Sequence, residues 1–394
     1  MLKRSVKLIC LLALFLFVAG CGKAKTTTAP APQSAPKEPY KIGAIVDASG
    51  PAASLGEPER DTLKMLADEL NAKGGINGHP VELIILDNKS LESEAVLAAK
   101  RLIDQDKVLA IIGCTQSSTS LAIVDTVTKA QVPTVSMAAS AKIVTPVAER
   151  HWVFKTAQSD IIVANKIAKY LTDKGVKNVA FLSVNNAFGD SGLVNFEKAA
   201  QANGLNILLK EKFEATDTDM TAQLAKVKAS QAQATVVWAI PPAASIVTKN
   251  FRDLGIKMPL IQTHGIGNKK FLELAGTAAN GVVAPMGKLL VAEQLPDSDP
   301  QKQVLLKYIA DYQKRYNARP NTFGGHAYDA FNLVVKAIEQ AGPDRAKIRD
   351  ALEQITGYAG ISGVFNMSPQ DHNGLGEDSM VMVEIKDGKW QLLQ

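Results

Sequence analysis

The stretch Val108-Leu-Ala-Ile-Ile-Gly-Cys-Thr-Gln-Ser-Ser-Thr-Ser-Leu-Ala-Ile-Val124 decides how this 394-residue chain folds. Its uninterrupted apolar beginning is typical of a strand that is buried in a parallel sheet. Gly113 ends that strand, small polar residues follow, and apolar residues then return at a spacing that suits a helix. The stretch therefore predicts a strand, a polar loop and a helix, which together form the repeating unit of an open α/β sheet.

Three hydroxyl side chains, those of Ser117, Ser118 and Thr119, stand where the predicted helix begins. A helix N-terminus has unpaired N–H groups and a partial positive charge, and both favour an anion. Ligands of open α/β sheets also bind at the carboxyl ends of the strands. We therefore expect these residues to hold the acid group of a small ligand, with an ordinary helix N-cap as the alternative.

The amino terminus has the pattern of a lipoprotein signal. Three basic residues precede an apolar run over 8–18, which is too short to span a bilayer comfortably. The run ends in Val18-Ala-Gly-Cys21, which looks like a lipobox. We predict a signal peptide over 1–20, lipidation of Cys21 and attachment to a membrane through the lipid. The proline-rich residues 21–39 predict a flexible linker.

Composition and motifs exclude several classes of function. Removal of residues 1–20 takes away three cations and lowers the formal net charge from +5 to +2, so no nucleic-acid partner is implied. Cys114 would be the one unmodified cysteine left, which excludes an intrachain disulfide. The sequence has no glycine motif for nucleotides, no nucleophile elbow and no pair of His at metal-ligand spacing. We expect no enzyme activity, no catalytic residue, no metal and no cofactor.

Strand and helix patterns alternate in two series. The first begins at Tyr40 and the second restarts at Asn178. In the first series we expect a loop over 47–56 after the first strand. After the second strand, over 81–86, we expect a helix that Ser90 caps. The buried face of that helix is predicted from apolar spacing at Ala95, Ala98, Ala99, Leu102 and Ile103. Two series of this kind predict two doubly wound parallel sheets that enclose a cleft, and Asp387-Gly388 predicts a closing hairpin.

Six short motifs stand in order along the chain: Lys41-Ile-Gly, Ser49-Gly-Pro-Ala with Gly56, 70–78, Ile112-Gly with Ser117-Ser-Thr, Val132-Pro-Thr-Val-Ser and Asp217-Thr-Asp-Met. Together they resemble the periplasmic branched-chain amino-acid-binding proteins of the Leu/Ile/Val type, which are type I solute-binding components of ABC importers. The resemblance spans roughly residues 40–390. It implies a fold with two doubly wound lobes joined by three hinge crossings, which close over a ligand.

The resemblance also implies where the lobes divide. Lobe 1 would consist of 40–156 plus 288–364, and lobe 2 of 157–287 plus 365–394. The crossings would lie near 155–158, 286–288 and 363–366. Such a protein is an extracytoplasmic monomer that faces the periplasm or cell exterior, here lipid-anchored to the cell membrane or outer membrane. It delivers its ligand to an ABC permease and its ATPases.

The family's binding residues can be matched one at a time. Ser117, with Ser118 beside it, matches the serine that binds the ligand carboxylate, and Ala138-Ala139-Ser140 matches a segment that offers main-chain groups and a hydroxyl. Leu55 replaces an aromatic residue of the first loop, and Phe188 keeps the ring of a pocket tyrosine without its hydroxyl. His264 stands where an acidic residue receives the ammonium group, a further tyrosine falls near Pro241, and Phe323 matches an aromatic residue at the pocket edge.

These departures leave two ligand classes open. One is an amino acid whose ammonium group finds another acceptor, with Asp47 or Asp219 as candidates. The other is an aromatic or aliphatic carboxylate without an amino group, because a buried ammonium without a carboxylate partner is costly. In the segment 321–329 we expect Phe323 alone, rather than His326 or Tyr328, to line the cleft. Two other roles also remain open: a ligand sensor that feeds a membrane receptor, and a purely structural lipoprotein.

Overall fold

The computed structural model describes residues 37–393. The predicted signal peptide, the lipidation site Cys21 and most of the linker lie outside the described residues. Within this range, no helix has both the length and the apolar character needed to cross a membrane.

The strands and helices alternate as the sequence predicts. The strands are β1 Tyr40–Val46, β2 Val81–Asp87, β3 Ala110–Gly113, β4 Thr134–Ser136, β5 Val153–Lys155, β6 Asn178–Val184, β7 Asn206–Phe213, β8 Ala234–Trp238, β9 Leu260–Gln262, β10 Val283–Gly287, β11 Tyr358–Ala359, β12 Val364–Phe365, β13 Met380–Lys386 and β14 Lys389–Leu392. The helices are α1 Ala53–Ala72, α2 Glu92–Asp104, α3 Ser117–Lys129, α4 Asp160–Asp173, α5 Ala187–Ala202, α6 Thr221–Ala229, α7 Ala243–Asp253, α8 Lys269–Ala275, α9 Lys302–Tyr316, α10 Thr322–Ala341 and α11 Arg345–Glu353.

Two main sheets result, and the predicted fold class is confirmed. The first has the order β2-β1-β3-β4-β5, and all its pairs are parallel. The second has the order β14-β13-β10-β9-β8-β6-β7 and is parallel from β10 to β7. At its other edge β13 and β14 pair antiparallel through the predicted hairpin turn. Helix α10 packs against α1 and so belongs with the first sheet.

Helix α2 shows how apolar spacing fixes an element. Its buried residues are the five that the spacing predicted: Ala95, Ala98, Ala99, Leu102 and Ile103. They lie on one face because a helix repeats every 3.6 residues. Leu102 packs against the first sheet so closely that a Cβ on Gly43 of β1 would lie 2.8 Å from its Cδ1.

Two local predictions about the first loop are wrong. Helix α1 begins at Ala53, so Leu55 lies in the first helical turn and not in a loop. The N-cap of α2 is Leu91 rather than Ser90. The Ser90 hydroxyl instead donates to the Ser49 main-chain oxygen at 2.9 Å, because its backbone has a φ of 61° that turns it toward the first loop. Ser90 therefore fixes the loop that precedes α1.

The chain passes between the sheets after β5, after β10 and again before β13. The third passage lies later than predicted, because Val364–Phe365 pairs with Tyr358–Ala359 in a separate two-stranded sheet. The chain joins the second sheet at Met380, so this passage lies within 366–379. There the Asn373 amide donates to the main-chain oxygens of Lys155 at 3.3 Å and Ala157 at 3.1 Å, which ties the third passage to the first.

A glycine lets α1 approach the end of β1. A Cβ on Gly56 would lie 2.3 Å from the Asp47 main-chain oxygen, so Gly56→Ala must displace backbone. We expect a loss of roughly 1–3 kcal/mol in the free energy of unfolding, measured by urea denaturation. Lys64→Ala, on the exposed side of the same helix, is the control and should change that free energy by less than about 0.5 kcal/mol. Equal stability of the two variants would contradict this account of the packing.

Candidate functional site

A cavity lies where the carboxyl ends of both sheets meet, which is where ligands of open α/β sheets bind. Every residue on its wall follows a parallel strand or stands at the start of α10. The lining residues are Leu55, Thr115, Gln116, Ser117, Ser118, Met137, Ala138, Ala139, Ala157, Asn186, Phe188, Ile240, His264, Gly265, Phe323 and His326.

The start of α3 forms one end of the cavity. Its N-cap residue, Gln116, makes no side-chain bond to the helix and instead donates its amide N–H to the Asp47 carboxylate at 2.5 Å. The first N–H groups of α3 are thus left without a side-chain cap and are available to an anion. The Ser117 hydroxyl oxygen accepts from the Ser140 main-chain N–H at 3.2 Å, which leaves its proton free to be donated. Half-buried Ser118 adds a second hydroxyl to this end.

Two buried carboxyl groups lie behind this end and not on the wall. The Thr115 hydroxyl donates to Glu59 at 2.5 Å and accepts from the Asp47 main-chain N–H at 3.0 Å. Burial raises the pKa of Asp47 to about 6 and raises that of Glu59 well above its usual value. Asp219, the other candidate for receiving an ammonium group, is exposed and accepts from the hydroxyl and N–H of Thr221. Neither candidate lines the cavity.

The second sheet contributes an aromatic pair. Phe188 stands in the first turn of α5, where the Asn186 side chain accepts from the main-chain N–H groups of Phe188 and Gly189 at 3.0 and 3.1 Å. His264 stands in the short 3₁₀ turn that follows β9, and Thr263 caps this turn. The phenyl and imidazole rings meet edge to face with centroids 6.0 Å apart.

Helix α10 contributes a second pair of the same kind. Phe323 and His326 both line the cavity, and their rings meet edge to face at 6.0 Å. The expectation that Phe323 alone of its segment lines the cleft is therefore wrong. The spacing of three residues within a helix, which puts both side chains on one face, was the signal that pointed to His326.

Comparison with known proteins identifies the family. A model of the periplasmic binding protein family matches residues 39–389. The chain belongs to the periplasmic binding proteins. Members of this family are solute-binding proteins rather than enzymes, and membership implies an extracytoplasmic location.

Named relatives of this periplasmic binding protein bear out the resemblance seen in the sequence. The leucine-, isoleucine-, valine-, threonine- and alanine-binding protein of Pseudomonas aeruginosa is 24% identical over 80% of this chain and 82% of its own. A branched-chain amino acid transporter substrate binding protein of Streptococcus pneumoniae, solved with isoleucine, is 26% identical with a TM-score of 0.79, over 90% of this chain and 98% of its own. An extracellular ligand-binding receptor from Rhodopseudomonas palustris HaA2 is 31% identical with a TM-score of 0.85, over 91% of this chain and all of its own.

The structure of this periplasmic binding protein brings most of the predicted site residues together. Eight of them line the cavity: Leu55, Ser117, Ser118, Ala138, Ala139, Phe188, His264 and Phe323. Ser140 is buried behind the wall. Ile240 lines the wall next to Pro241, the position near which a further tyrosine of the family falls. The residues that sequence reasoning missed are Thr115, Gln116, Met137, Ala157, Asn186, Ile240, Gly265 and His326. Most of them directly follow a strand, which is the one local signal that marks them.

The two imidazoles of the cavity are uncharged. Burial is the main cause that lowers the pKa of His264 and of His326 to about 3, and the nearby ammonium group of Lys155 lowers both further. In the unfolded chain a His takes up a proton near pH 6.5. Between about pH 6.5 and 3 the unfolded state therefore binds more protons than the folded state. The two imidazoles thus lower the free energy of unfolding as the pH falls through this range.

We expect the ring C–H signals of His264 and His326 to remain at their neutral positions from about pH 8 to pH 5, as followed by NMR. His264→Gln and His326→Gln assign the two signals by removing one each. The ring signals report on the imidazoles alone. The free energy of unfolding also depends on Asp47, whose raised pKa makes the folded state bind more protons and so gives the opposite pH dependence. A midpoint near pH 6.5 for either ring would show that it is solvated.

Proposed function

We propose that this protein captures a small carboxylate with an apolar body and no charged amino group, and delivers it to an ABC permease and its ATPases. The observation that supports this most directly is the distribution of charge. No Asp or Glu among the described residues lines the cavity, whereas serine hydroxyls and the start of α3 do.

The carboxylate would bind at the start of α3. The uncapped N–H groups and the free proton of Ser117 are hydrogen-bond donors, and hydrogen bonds to a carboxylate are stronger than those between neutral groups. Main-chain groups of Ala138 and Ala139 lie on the same wall. No cationic side chain from the described part of the chain lines the cavity, so the acid would be held by dipoles.

A ligand ammonium group would lack a partner. His264 is neutral, and an ammonium ion that loses its water without an ion pair pays a desolvation cost of several kcal/mol. Buried Lys155 donates from its Nζ to the Ala139 main-chain oxygen at 2.6 Å, so it already occupies that acceptor, and burial lowers its pKa to about 7. Asp160 is buried near Lys155, Ser191 and Trp238 and does not line the cavity.

An apolar body would fill the middle of the cavity. The aliphatic and aromatic side chains of the wall come from both sheets and include Leu55, Met137, Ile240, Phe188 and Phe323. Burial of apolar ligand surface contributes about 25 cal/mol per Å². This middle region therefore supplies affinity, while the start of α3 sets orientation.

We propose that binding acts by closing two lobes, one built on each main sheet and joined by the three passages. A ligand that contacts both walls stabilises the closed arrangement of the lobes. The walls already touch outside the cavity, where the Thr322 hydroxyl donates to the Gly267 main-chain oxygen at 3.1 Å. After removal of the signal peptide over 1–20, the lipid on Cys21 and the linker to residue 39 would hold a monomer of this kind at the membrane.

Isothermal titration calorimetry with the purified mature protein tests the ligand class. We expect benzoate or a related aromatic or aliphatic carboxylate to bind, and leucine and valine to bind at least about tenfold more weakly because of the unpaired ammonium group. 3-Methylbutanoate, which is valine without its amino group, is the control for size. Tight binding of valine would overturn the proposal.

The two serines allow a matched pair of variants. Ser118→Ala should weaken carboxylate binding by roughly 1–3 kcal/mol with an unchanged melting temperature, because its hydroxyl has no bond within the described chain. Ser117→Ala should weaken binding similarly and also lower the melting temperature, since it leaves the buried Ser140 N–H without its acceptor. Unchanged affinity in both variants would remove the start of α3 from the site.

A further inference from the structure

Two imidazoles face the cavity from different lobes. His264 follows β9 of the second sheet, and His326 stands in α10, which packs with the first sheet. Each stands edge to face against a phenylalanine that also lines the cavity. Neither imidazole is needed to hold a carboxylate at the start of α3, so their place on the cavity wall needs a different explanation.

His264 has a polar atom without a partner. The residue is only 7% exposed, and its Nδ1 is buried with no hydrogen-bond partner in the described chain. Buried polar atoms are nearly always paired in folded proteins, because an unpaired one loses its hydration without compensation. Among the described residues with a buried unpaired side-chain atom, His264 alone lines the cavity, which makes a ligand the candidate partner of its Nδ1.

His326 is held in a fixed orientation. Its Nδ1 lies 2.8 Å from the Ser362 hydroxyl oxygen. Ser362 is itself fixed, because the main-chain N–H groups of Ile361 and Ser362 donate to the Asp329 carboxylate at 2.7 and 2.6 Å. One ring nitrogen of His326 is thus occupied, and the other is left for the cavity.

The chemistry of a neutral imidazole selects the ligand group. A neutral ring has one N–H donor and one acceptor nitrogen, and a hydroxyl group can both donate and accept. An ammonium group can only donate, while a second carboxylate can only accept. A hydroxyl is therefore the group that two uncharged imidazoles satisfy best.

We propose that the ligand is a hydroxycarboxylate in which an apolar body separates the hydroxyl from the acid, and that His264 and His326 bind this hydroxyl. The inference rests on the proposed function, since it names a second polar group on the same carboxylate ligand. His264 and His326 would then determine specificity, and the start of α3 would provide the anchor.

Calorimetry on pairs of acids that differ by one hydroxyl tests the inference. The pairs are benzoate with 4-hydroxybenzoate, 3-phenylpropanoate with 3-(4-hydroxyphenyl)propanoate, and cyclohexanecarboxylate with 4-hydroxycyclohexanecarboxylate, so that body length and flatness both vary. For at least one pair we expect the hydroxylated acid to bind roughly 10-fold to 100-fold tighter, because the acid without it leaves the imidazoles unpaired.

Variants assign the effect to the two rings. His264→Phe and His326→Phe keep an aromatic ring but remove its hydrogen bonds, so each should reduce the preference for the hydroxylated acid to less than about threefold. His264→Gln keeps a donor and an acceptor and guards against misfolding of the first variant. His151→Phe is the matched control, because His151 is exposed and outside the cavity, and it should keep the wild-type preference.

The outcomes separate the two proposals. If both members of every pair bind equally to the wild-type protein, the hydroxyl inference fails and the carboxylate function stands. If no acid binds, or leucine binds more tightly than all of them, both fail. A hydroxyl preference that persists in both His→Phe variants overturns the role of the imidazoles.

Discussion

Parallel strands impose the main constraint on this molecule. A parallel strand that is buried on both faces can expose functional groups only at its ends, and the turns into the following helices gather at its carboxyl end. Here the carboxyl ends of the two sheets face one cavity, and the wall residues follow β1, β3, β4 and β5 on one side and β6, β8 and β9 on the other. The cavity therefore depends on how the sheets face each other rather than on any single loop.

The passages between the lobes are part of the site. The Thr156 hydroxyl donates to the His326 main-chain oxygen at 2.9 Å, and the Gln158 amide donates to the Ser362 main-chain oxygen at 2.6 Å. Ser362 in turn contacts the His326 ring. The first passage thus fixes both the backbone of a cavity residue and the residue that orients its ring. A movement of the lobes would therefore change the position of His326 in the cavity wall.

The charged side chains near the cavity lie behind its wall. Asp47 and Glu59 lie behind the start of α3, and Lys155 and Asp160 are buried next to Ala139. Between them the cavity presents only neutral groups and main-chain dipoles from the described residues. Because a buried charge without a close partner is costly, a neutral wall favours a ligand that has one charged end, which the uncapped N–H groups of α3 can hold.

The sequence by itself determined the features that depend on local patterns. Apolar runs and helical spacing predicted the two sheets, the buried face of α2 and the closing hairpin. The small polar residues after β3 led to the prediction that an acid group binds at the start of α3, with a helix N-cap as the alternative. Only the tertiary structure decided that Ser90 bonds to Ser49, that the third passage follows Phe365, and that His326 reaches the cavity with Ser362 behind it. The Ser90–Ser49 bond joins residues 41 positions apart and the His326–Ser362 bond joins residues 36 positions apart, and such bonds produce no periodic pattern in the sequence. Apolar periodicity records only whether a side chain is buried, whereas the partner of a buried polar group is set by the packing of distant segments.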